Sequence, residues 1–243
     1  MTFKQWVNAV LGKTGYQIRR RPSLARDVDR GKYRWLQSRG IKTVLDVGAN
    51  VGQFAIMARR IFPEAMIYSF EPLESCFAEL RAVAATLRPM ECFHCALGKN
   101  NSTITMHRND FTPGSSILPI AARTVDAFPY TSHVVEEQIT VRSLDKLAGE
   151  LSLKGRILLK VDVQGFEMNV LLGGKRTLSK IDVIIIETSF VELYKGQPLF
   201  HEVHEFLRKQ GFSYSGNFDQ LLDPATGAVL QSDAIFLNTR KQA

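Results

Sequence analysis

From residue 43 onward, short apolar runs alternate with amphipathic segments. The runs typical of strands are TVLDVG, AMIYSFE, ECFHCAL, RILLKVDV and IDVIIIE, and the segments typical of helices are GQFAIMARRIF, LESCFAELRAVAATL, EMNVLLGGKRTLS and HEVHEFLRKQG. Apolar strands that alternate with helices predict a mostly parallel sheet covered by helices on both faces. STITMH and EEQITVRSL predict an added strand pair, and FSYSGN and DAIFLN are predicted to close the chain as strands.

The first 42 residues follow a different pattern. A helical apolar stripe is formed by Phe3, Trp6, Val7, Val10 and Leu11. Residues 1–42 also contain 11 Lys and Arg against two acidic residues. We therefore predict a basic N-terminal helical arm (1–42) followed by an α/β domain (43–243). The arm either packs on the domain, which we favour because basic termini are common, or contacts an anionic membrane or a polyanionic partner.

Charge and composition limit the classes of function and the cellular compartments that the chain suits. Outside the arm, 20 Lys and Arg stand against 22 acidic residues, so the domain is nearly neutral and binding to nucleic acid is not indicated. No apolar run approaches the roughly 18 residues that span a membrane, and no secretory leader is visible. The odd number of cysteines, three, is typical of a reducing compartment. We expect a cytoplasmic protein, with peripheral membrane contact through the arm as the alternative.

The sequence VLDVGANVGQF passes from a strand through a glycine-rich turn into a helix. Gly48 and Gly52 allow a tight turn and a close approach of the backbone to a ligand. The spacing is neither the G-x-G-x-x-G of dinucleotide-binding proteins nor a phosphate-binding loop. Asp46, just before the turn, would repel a pyrophosphate but would suit a ligand with an ammonium group. A tight strand-to-helix turn without a ligand is the alternative.

The second strand ends in YSFEP, which places Glu71 at the carboxyl end of the sheet. A carboxylate at this position can accept hydrogen bonds from both hydroxyls of a ribose. Together, Asp46 near an amino group and Glu71 on a ribose describe S-adenosylmethionine better than NAD. The alternative for Glu71 is a charge at the N-terminus of the helix that follows.

These residues, with CALG, GSS, LLKVDVQGFEMNVLLGG, IIIE and ELY, resemble the FkbM family of S-adenosylmethionine-dependent methyltransferases over roughly residues 43 to 238. The resemblance implies a Rossmann-like fold, S-adenosylhomocysteine as product, and methylation of a hydroxyl on a sugar, polyketide or similar small molecule. It implies donor contacts by Asp46, Gly48, Asn50, Gly52, Glu71 and Pro72, and by the backbone of Ala96 and Leu97 near the adenine. Family members often have Glu where this chain has Gln164, so we leave position 164 out of the catalytic set.

The strand RILLKVDV would lie beside the first strand in such a sheet, with its carboxyl end facing the methyl donor. Lys160 and Asp162 share one face of this strand. Glu187 ends the next strand at the corresponding edge. We predict that Asp162 is the general base, that Glu187 orients the substrate hydroxyls and that Lys160 holds Asp162 in place. The alternatives are a structural Lys160–Asp162 ion pair, or magnesium bound by Asp162 and Glu187; we expect no metal.

Residues 108–135 are too many for a plain connection and are rich in Gly, Pro and Ser. We predict a substrate lid in which Ser115 and Ser116 bind the acceptor or the donor, and a mobile loop is the alternative. The leading hypothesis is an S-adenosylmethionine-dependent O-methyltransferase that acts on a small-molecule or saccharide acceptor. A non-catalytic S-adenosylmethionine-binding sensor or scaffold and, less favoured, an NAD-dependent oxidoreductase are the alternatives. The pattern does not indicate the acceptor or the oligomeric state.

Overall fold

The computed structural model describes residues 34–109, 114–121, 124–125, 134–223 and 225–241. Most of the predicted basic arm therefore lies outside the described residues. The chain divides into two compact units, residues 1–38 and residues 39–243. Helix α1 (Arg34–Gln37) belongs to the first unit, and the sheets described below belong to the second. None of the helices in the described part of the chain has the length and apolar character that crossing a membrane requires.

The main sheet has seven strands in the order β3-β2-β1-β7-β8-β10-β9. Its strands are β1 (Ile41–Val47), β2 (Met66–Phe70), β3 (Met90–Phe93), β7 (Arg156–Val161), β8 (Val183–Ser189), β9 (Phe212–Leu222) and β10 (Val229–Asn238). The first five strands of the spatial order run parallel, whereas β10 is antiparallel to both β8 and β9. The chain therefore has the predicted α/β, Rossmann-like fold with a mostly parallel sheet.

The helices that connect these strands include α2 (Gln53–Ile61), α3 (Glu74–Thr86), α4 (Leu144–Leu147), α5 (Glu167–Gly173), α6 (Lys175–Leu178) and α7 (Phe200–Lys209). Apolar side chains on one face of the sheet, such as Val47, Val161 and Ile186, form a buried cluster with residues of α5 to α7. Each fully buried side chain of this size contributes about 1.5–3 kcal/mol to folding. The continuous apolar character of β1, β7 and β8 follows from burial on both faces.

A second sheet of three strands, in the order β4-β6-β5, contains β4 (Ala96–Leu97), β5 (Ser102–Asn109) and β6 (Val134–Arg142). The antiparallel pair of β5 and β6 is the predicted added strand pair. The predicted third strand, ECFHCAL, is divided in the structure. Its first half belongs to β3 of the main sheet, whereas Ala96 and Leu97 pair with Val141 and Arg142 of the small sheet. The single-strand interpretation was wrong because alternation along the chain does not reveal a change of partner sheet.

Candidate active site

The glycine turn after β1 brings the ends of β1 and β7 into direct contact. The amides of Gly48 and Ala49 both donate to the carbonyl of Phe70, at 3.1 and 3.0 Å. Gly48 has a φ of 76°, and a Cβ atom there would lie 1.8 Å from the carbonyl oxygen of Asp162. Only glycine fits this position without backbone movement. Gly52 has a φ of 89° and begins α2.

Asp46, in the register next to Lys160, is fully buried at the end of β1. Its Oδ2 accepts a hydrogen bond from Ser69 Oγ at 3.1 Å, while its Oδ1 has no hydrogen-bond partner among the described residues. Burial raises the pKa of Asp46 to about 6, although Lys160 and the Ser69 hydroxyl oppose this rise. A buried carboxylate oxygen without a partner is costly, so this atom is suited to receive a donor group from a ligand.

Glu71 is buried just beyond β2 and organises the glycine turn. Its Oε2 accepts from the amide of Asn50 at 2.8 Å and its Oε1 accepts from the amide of Leu73 at 2.9 Å. Burial raises its pKa to about 7. Each oxygen has a second lone pair, so these backbone contacts leave capacity for the predicted ribose hydroxyls. Asn50 has a positive φ of 49°, which places its amide against Glu71.

Three of the remaining predicted donor contacts lie near this turn or in the small sheet. The carbonyl of Pro72 is 2.9 Å from His94 Nε2. Ala96 and Leu97 are buried and use backbone groups to pair with β6. Their contact with adenine stays a prediction.

The predicted catalytic residues meet at the carboxyl ends of β7 and β8. Lys160 Nζ donates to Asp162 Oδ2 at 2.9 Å and lies 5.6 Å from the ring centre of Phe54. The Asp162 side chain is 31% exposed, whereas that of Lys160 is 9% exposed, so the carboxylate is the more accessible member of this ion pair. The carboxyl groups of Asp162 and Glu187 are bridged by one side-chain amide, since both accept from Gln164 Nε2.

The electrostatics of this pair are unequal. Burial raises the pKa of Glu187 well above its usual range, and the neighbouring Asp162, Glu167 and Asp233 raise it further. Burial also acts to raise the pKa of Asp162, but Lys160 and the hydrogen bonds that Asp162 accepts outweigh this effect and lower it. Of the two carboxyl groups, Glu187 therefore binds a proton more tightly than Asp162 does.

Two other ionisable residues, Glu167 and Lys160, lie next to the Asp162–Glu187 pair. Glu167 Oε1 accepts from the amides of Val163 and Gly165 at 3.2 and 3.0 Å, so this carboxylate closes the turn between β7 and α5. Burial raises the pKa of Glu167 to about 7. Burial alone would lower the pKa of Lys160, but the carboxylates of Asp162 and Asp46 raise it, so Lys160 is charged.

Gln164, which the sequence analysis leaves out, lies between the two predicted catalytic carboxyl groups. Its Nε2 donates to Asp162 Oδ1 and to Glu187 Oε2, both at 2.8 Å, and its Oε1 accepts from Tyr194 OH at 2.7 Å. β7 ends at Val161 and Gln164 has a positive φ, so strand alternation does not extend to Gln164 and could not have identified it. Nothing in the local sequence indicated Tyr194 as its partner.

Ser115 and Ser116 are both buried in the described part of the predicted lid. The Ser115 hydroxyl accepts from the amide of Asn109 at 2.9 Å. The Ser116 hydroxyl donates to the carbonyl of Gln164 and accepts from the amide of Leu118. These contacts connect residues 114–118 to the site, while 14 of the 28 residues of the predicted lid lie outside the described residues. A substrate contact by either serine stays a prediction.

Comparison with known proteins identifies the family. Residues 46–214 match the model of the methyltransferase FkbM domain. The 2-O-methyltransferase NoeI of Sinorhizobium fredii is 30% identical over 163 residues, which cover 63% of this chain and 66% of that protein. The 31-O-demethyl-FK506 methyltransferase FkbM of Streptomyces tacrolimicus is 27% identical, over 73% of this chain and 75% of that protein.

Other similar proteins include Methyltransferase 1 of Beauveria bassiana, which is 29% identical over 70% of this chain and 72% of that protein. Among solved structures, the precorrin-6y C5,15-methyltransferase of Geobacter metallireducens has 10% identity and a TM-score of 0.44, with 93% of each chain covered. The family match extends from Asp46 to beyond Glu187 and so includes the glycine turn and both carboxyl groups. This chain therefore belongs to the FkbM family and is an S-adenosylmethionine-dependent methyltransferase.

Proposed function

We propose that this chain is an O-methyltransferase that acts on a hydroxyl of a small molecule or a sugar. The observation that carries the proposal is the pair of carboxyl groups, Asp162 and Glu187, that Gln164 Nε2 bridges at 2.8 Å each at the carboxyl ends of β7 and β8. The pair lies beside the turn that follows β1, where Gly48 contacts the carbonyl of Asp162. Support for oxygen as the methylated atom comes from two relatives, one named as a 2-O-methyltransferase and one named as a methyltransferase of 31-O-demethyl-FK506.

The residues fit the donor at two points. The unpartnered Asp46 Oδ1 suits the ammonium group of S-adenosylmethionine, and Glu71 suits the ribose hydroxyls. When bound, S-adenosylmethionine supplies the methyl group and leaves as S-adenosylhomocysteine. In the proposed mechanism, Asp162 takes the proton from the acceptor hydroxyl as the oxygen forms its bond to the methyl carbon. Lys160 keeps Asp162 ionised until then, and an oxygen of Glu187 accepts a hydrogen bond from a second hydroxyl of the acceptor.

Magnesium has no role in this mechanism. Both oxygens of Asp162 already accept hydrogen bonds, from Lys160 Nζ and Gln164 Nε2, and a metal ion would have to displace these groups. Within the described residues, no set of three or more His, Cys, Asp or Glu side chains is arranged to hold a metal ion. We expect turnover to be unchanged after exhaustive chelation, and loss of activity that returns with Mg²⁺ would contradict this mechanism.

The proposal also covers the basic N-terminal arm and the cellular compartment of the protein. We assign residues 43–243 to the methyltransferase domain and residues 1–42 to a separate basic arm, and we place the protein in the cytoplasm. Binding to anionic vesicles tests the alternative of peripheral membrane contact. If full-length protein sediments with such vesicles and the triple variant Arg19→Glu, Arg20→Glu, Arg21→Glu does not, the arm binds anionic membranes.

Calorimetric titration of S-adenosylmethionine and NAD tests the donor site, with Glu71→Ala as the variant. We expect saturable binding of S-adenosylmethionine, no binding of NAD, and loss of binding in a folded Glu71→Ala protein. An acceptor screen by mass spectrometry with methyl-labelled donor then tests the reaction. Tight donor binding without transfer to any hydroxylated acceptor would favour a non-catalytic binding protein instead.

A further inference from the structure

Gln164 is the residue at which the two carboxyl groups, a tyrosine and a neighbouring segment meet. Its backbone adopts a left-handed conformation with a φ of 54°, which residues other than glycine rarely adopt. Such a conformation persists only where the surroundings hold it. Here the Ser116 hydroxyl donates to the carbonyl of Gln164, and the Gln164 side chain makes three hydrogen bonds.

The orientation of the Gln164 amide follows from its partners. Asp162 and Glu187 present oxygens at 2.8 Å, so the nitrogen must face them, and both of its hydrogens are used. Tyr194 OH then donates to Oε1 at 2.7 Å. Tyr194 is itself buried, and its amide and that of Leu193 donate to Gln197 Oε1. The side-chain amide of Gln164 is therefore held in one orientation by Tyr194 on its oxygen side.

The charges around this amide explain why a neutral donor is useful there. The groups that face the pair from the surrounding elements are Lys160 of β7, Asp46 of β1, Glu167 of α5, Asp233 of β10 and the Tyr194 hydroxyl. Carboxyl groups predominate, so a second ionised group at Glu187 would be strongly disfavoured. An amide donates to both members of the pair without adding a charge.

We propose that Gln164 is a positioning residue that holds the Asp162 and Glu187 carboxyl groups side by side, so that the pair shares one proton and Asp162 stays the proton acceptor. This inference rests on the proposed function in that Asp162 is taken as the general base. Gln164 does not itself exchange a proton with the substrate. It acts through the oxygens of Asp162 and Glu187, and Tyr194 acts through Gln164.

The experiment follows carboxyl titration in the ligand-free protein and so needs no acceptor. Protein labelled with ¹³C at Asp and Glu carboxyl carbons is titrated by NMR, and Asp162→Asn and Glu187→Gln identify the two signals. In Gln164→Met, which keeps the shape but removes both donors, we expect the lower apparent pKa of the pair to rise by about one unit. In Tyr194→Phe the amide can rotate, so we expect a smaller shift in the same direction.

Asn238→Leu is the matched control because it removes a buried amide that bonds the carbonyl of Ile181, before the start of β8, and contacts neither carboxyl group nor Tyr194. We expect it to leave the titration of the pair unchanged even if it lowers stability. An unshifted lower pKa in folded Gln164→Met, or an equal shift in Asn238→Leu, would overturn the inference. If Gln164→Met does not fold, Tyr194→Phe decides, and an unchanged titration there overturns it.

The two proposals fail independently. An unchanged NMR titration with active enzyme would remove the role of Gln164 and leave methyl transfer intact. A shifted titration in a protein that methylates no acceptor would leave the role of Gln164 in the pair and remove the proposed reaction. With an accepted acceptor in hand, the acid limb of the pH profile of kcat/KM should move upward in Gln164→Met by the same amount as the NMR midpoint.

Discussion

At the residue scale, the proposed methyl transfer depends on how differently Asp162 and Glu187 bind a proton. Asp162→Asn removes the proton acceptor but keeps the shape of the side chain. We expect kcat to fall by about 10²–10⁴-fold, the usual contribution of a general base. Affinity for S-adenosylmethionine should change little because Asp162 does not hold the donor in our mechanism. Rapid-quench measurement of methyl transfer, beside calorimetry of donor binding, separates the two effects.

Glu187→Gln serves as the comparison for that variant. A glutamine keeps an oxygen that accepts the hydrogen bond from the second hydroxyl of the acceptor, so we expect a smaller loss of kcat than in Asp162→Asn. If Glu187→Gln is the more damaging change, the roles of the two carboxyl groups are reversed. If both variants keep normal turnover, neither is the base.

Donor binding should depend on pH through Asp46 and Glu71. Their pKa values are raised by burial to about 6 and about 7. The ionised forms are the ones that attract an ammonium group and accept from ribose hydroxyls. We therefore expect affinity for S-adenosylmethionine to fall as the pH drops through 7 and then through 6, which calorimetry at a series of pH values measures. Constant affinity across this range would show that these carboxylates do not hold the donor.

At the element scale, the site depends on the short distance between the residues that follow β1 and those that follow β7. In Gly48→Ala the new methyl group would overlap the carbonyl oxygen of Asp162, at 1.8 Å, in addition to the cost of a positive φ. We expect the free energy of unfolding to fall by about 2 kcal/mol or more. Donor binding and turnover should fall too, because the overlap pushes Asp162 away from the glycine turn. Chemical denaturation and calorimetry measure these effects.

Gly40→Ala is the control for the backbone effect alone. Gly40 also has a positive φ, of 63°, but a Cβ atom there would meet nothing within 4 Å. We expect a loss of about 1 kcal/mol and normal donor binding. Equal losses in the two variants would mean that the contact between Gly48 and Asp162 is unimportant.

For the whole molecule, the buried carboxyl groups couple stability to pH. Asp46, Glu71 and Glu167 all have folded-state pKa values above their ordinary ones, at about 6, about 7 and about 7. A raised pKa means that the folded state binds protons more tightly than the unfolded state does. Its stabilising contribution is full below the ordinary pKa and is lost as the pH rises through the folded-state value. We expect the ligand-free protein to become more stable as the pH falls from about 8 to about 5.

Denaturation of the ligand-free protein at several pH values measures this dependence. Glu71→Gln, which cannot titrate, should show a shallower change than the original chain. Donor affinity should change in the opposite direction over the same pH range, since binding needs the ionised carboxylates. Parallel rather than opposite trends would show that these groups are protonated in the complex.

Much of this architecture was accessible before the fold was known. Alternating apolar runs and helices predicted the parallel sheet, and strand ends predicted Asp46, Glu71, Asp162 and Glu187 at one edge. Residue alternation along a strand is local, and the carboxyl ends of parallel strands meet at one edge. The exchange of sheets after Phe93 was missed because both halves of ECFHCAL have the same local pattern.

The sequence by itself determined which residue types reach the catalytic edge, because strand periodicity and turn chemistry act over a few neighbouring positions. Only the tertiary structure decided how those residues are supported. The partner of Gln164 is Tyr194, 30 positions away, and its backbone is held by Ser116, 48 positions away. Contacts at such separations depend on how whole elements pack, which no local pattern encodes. The state of the Asp162–Glu187 pair follows from that packing, since burial and neighbouring charges set where its proton resides.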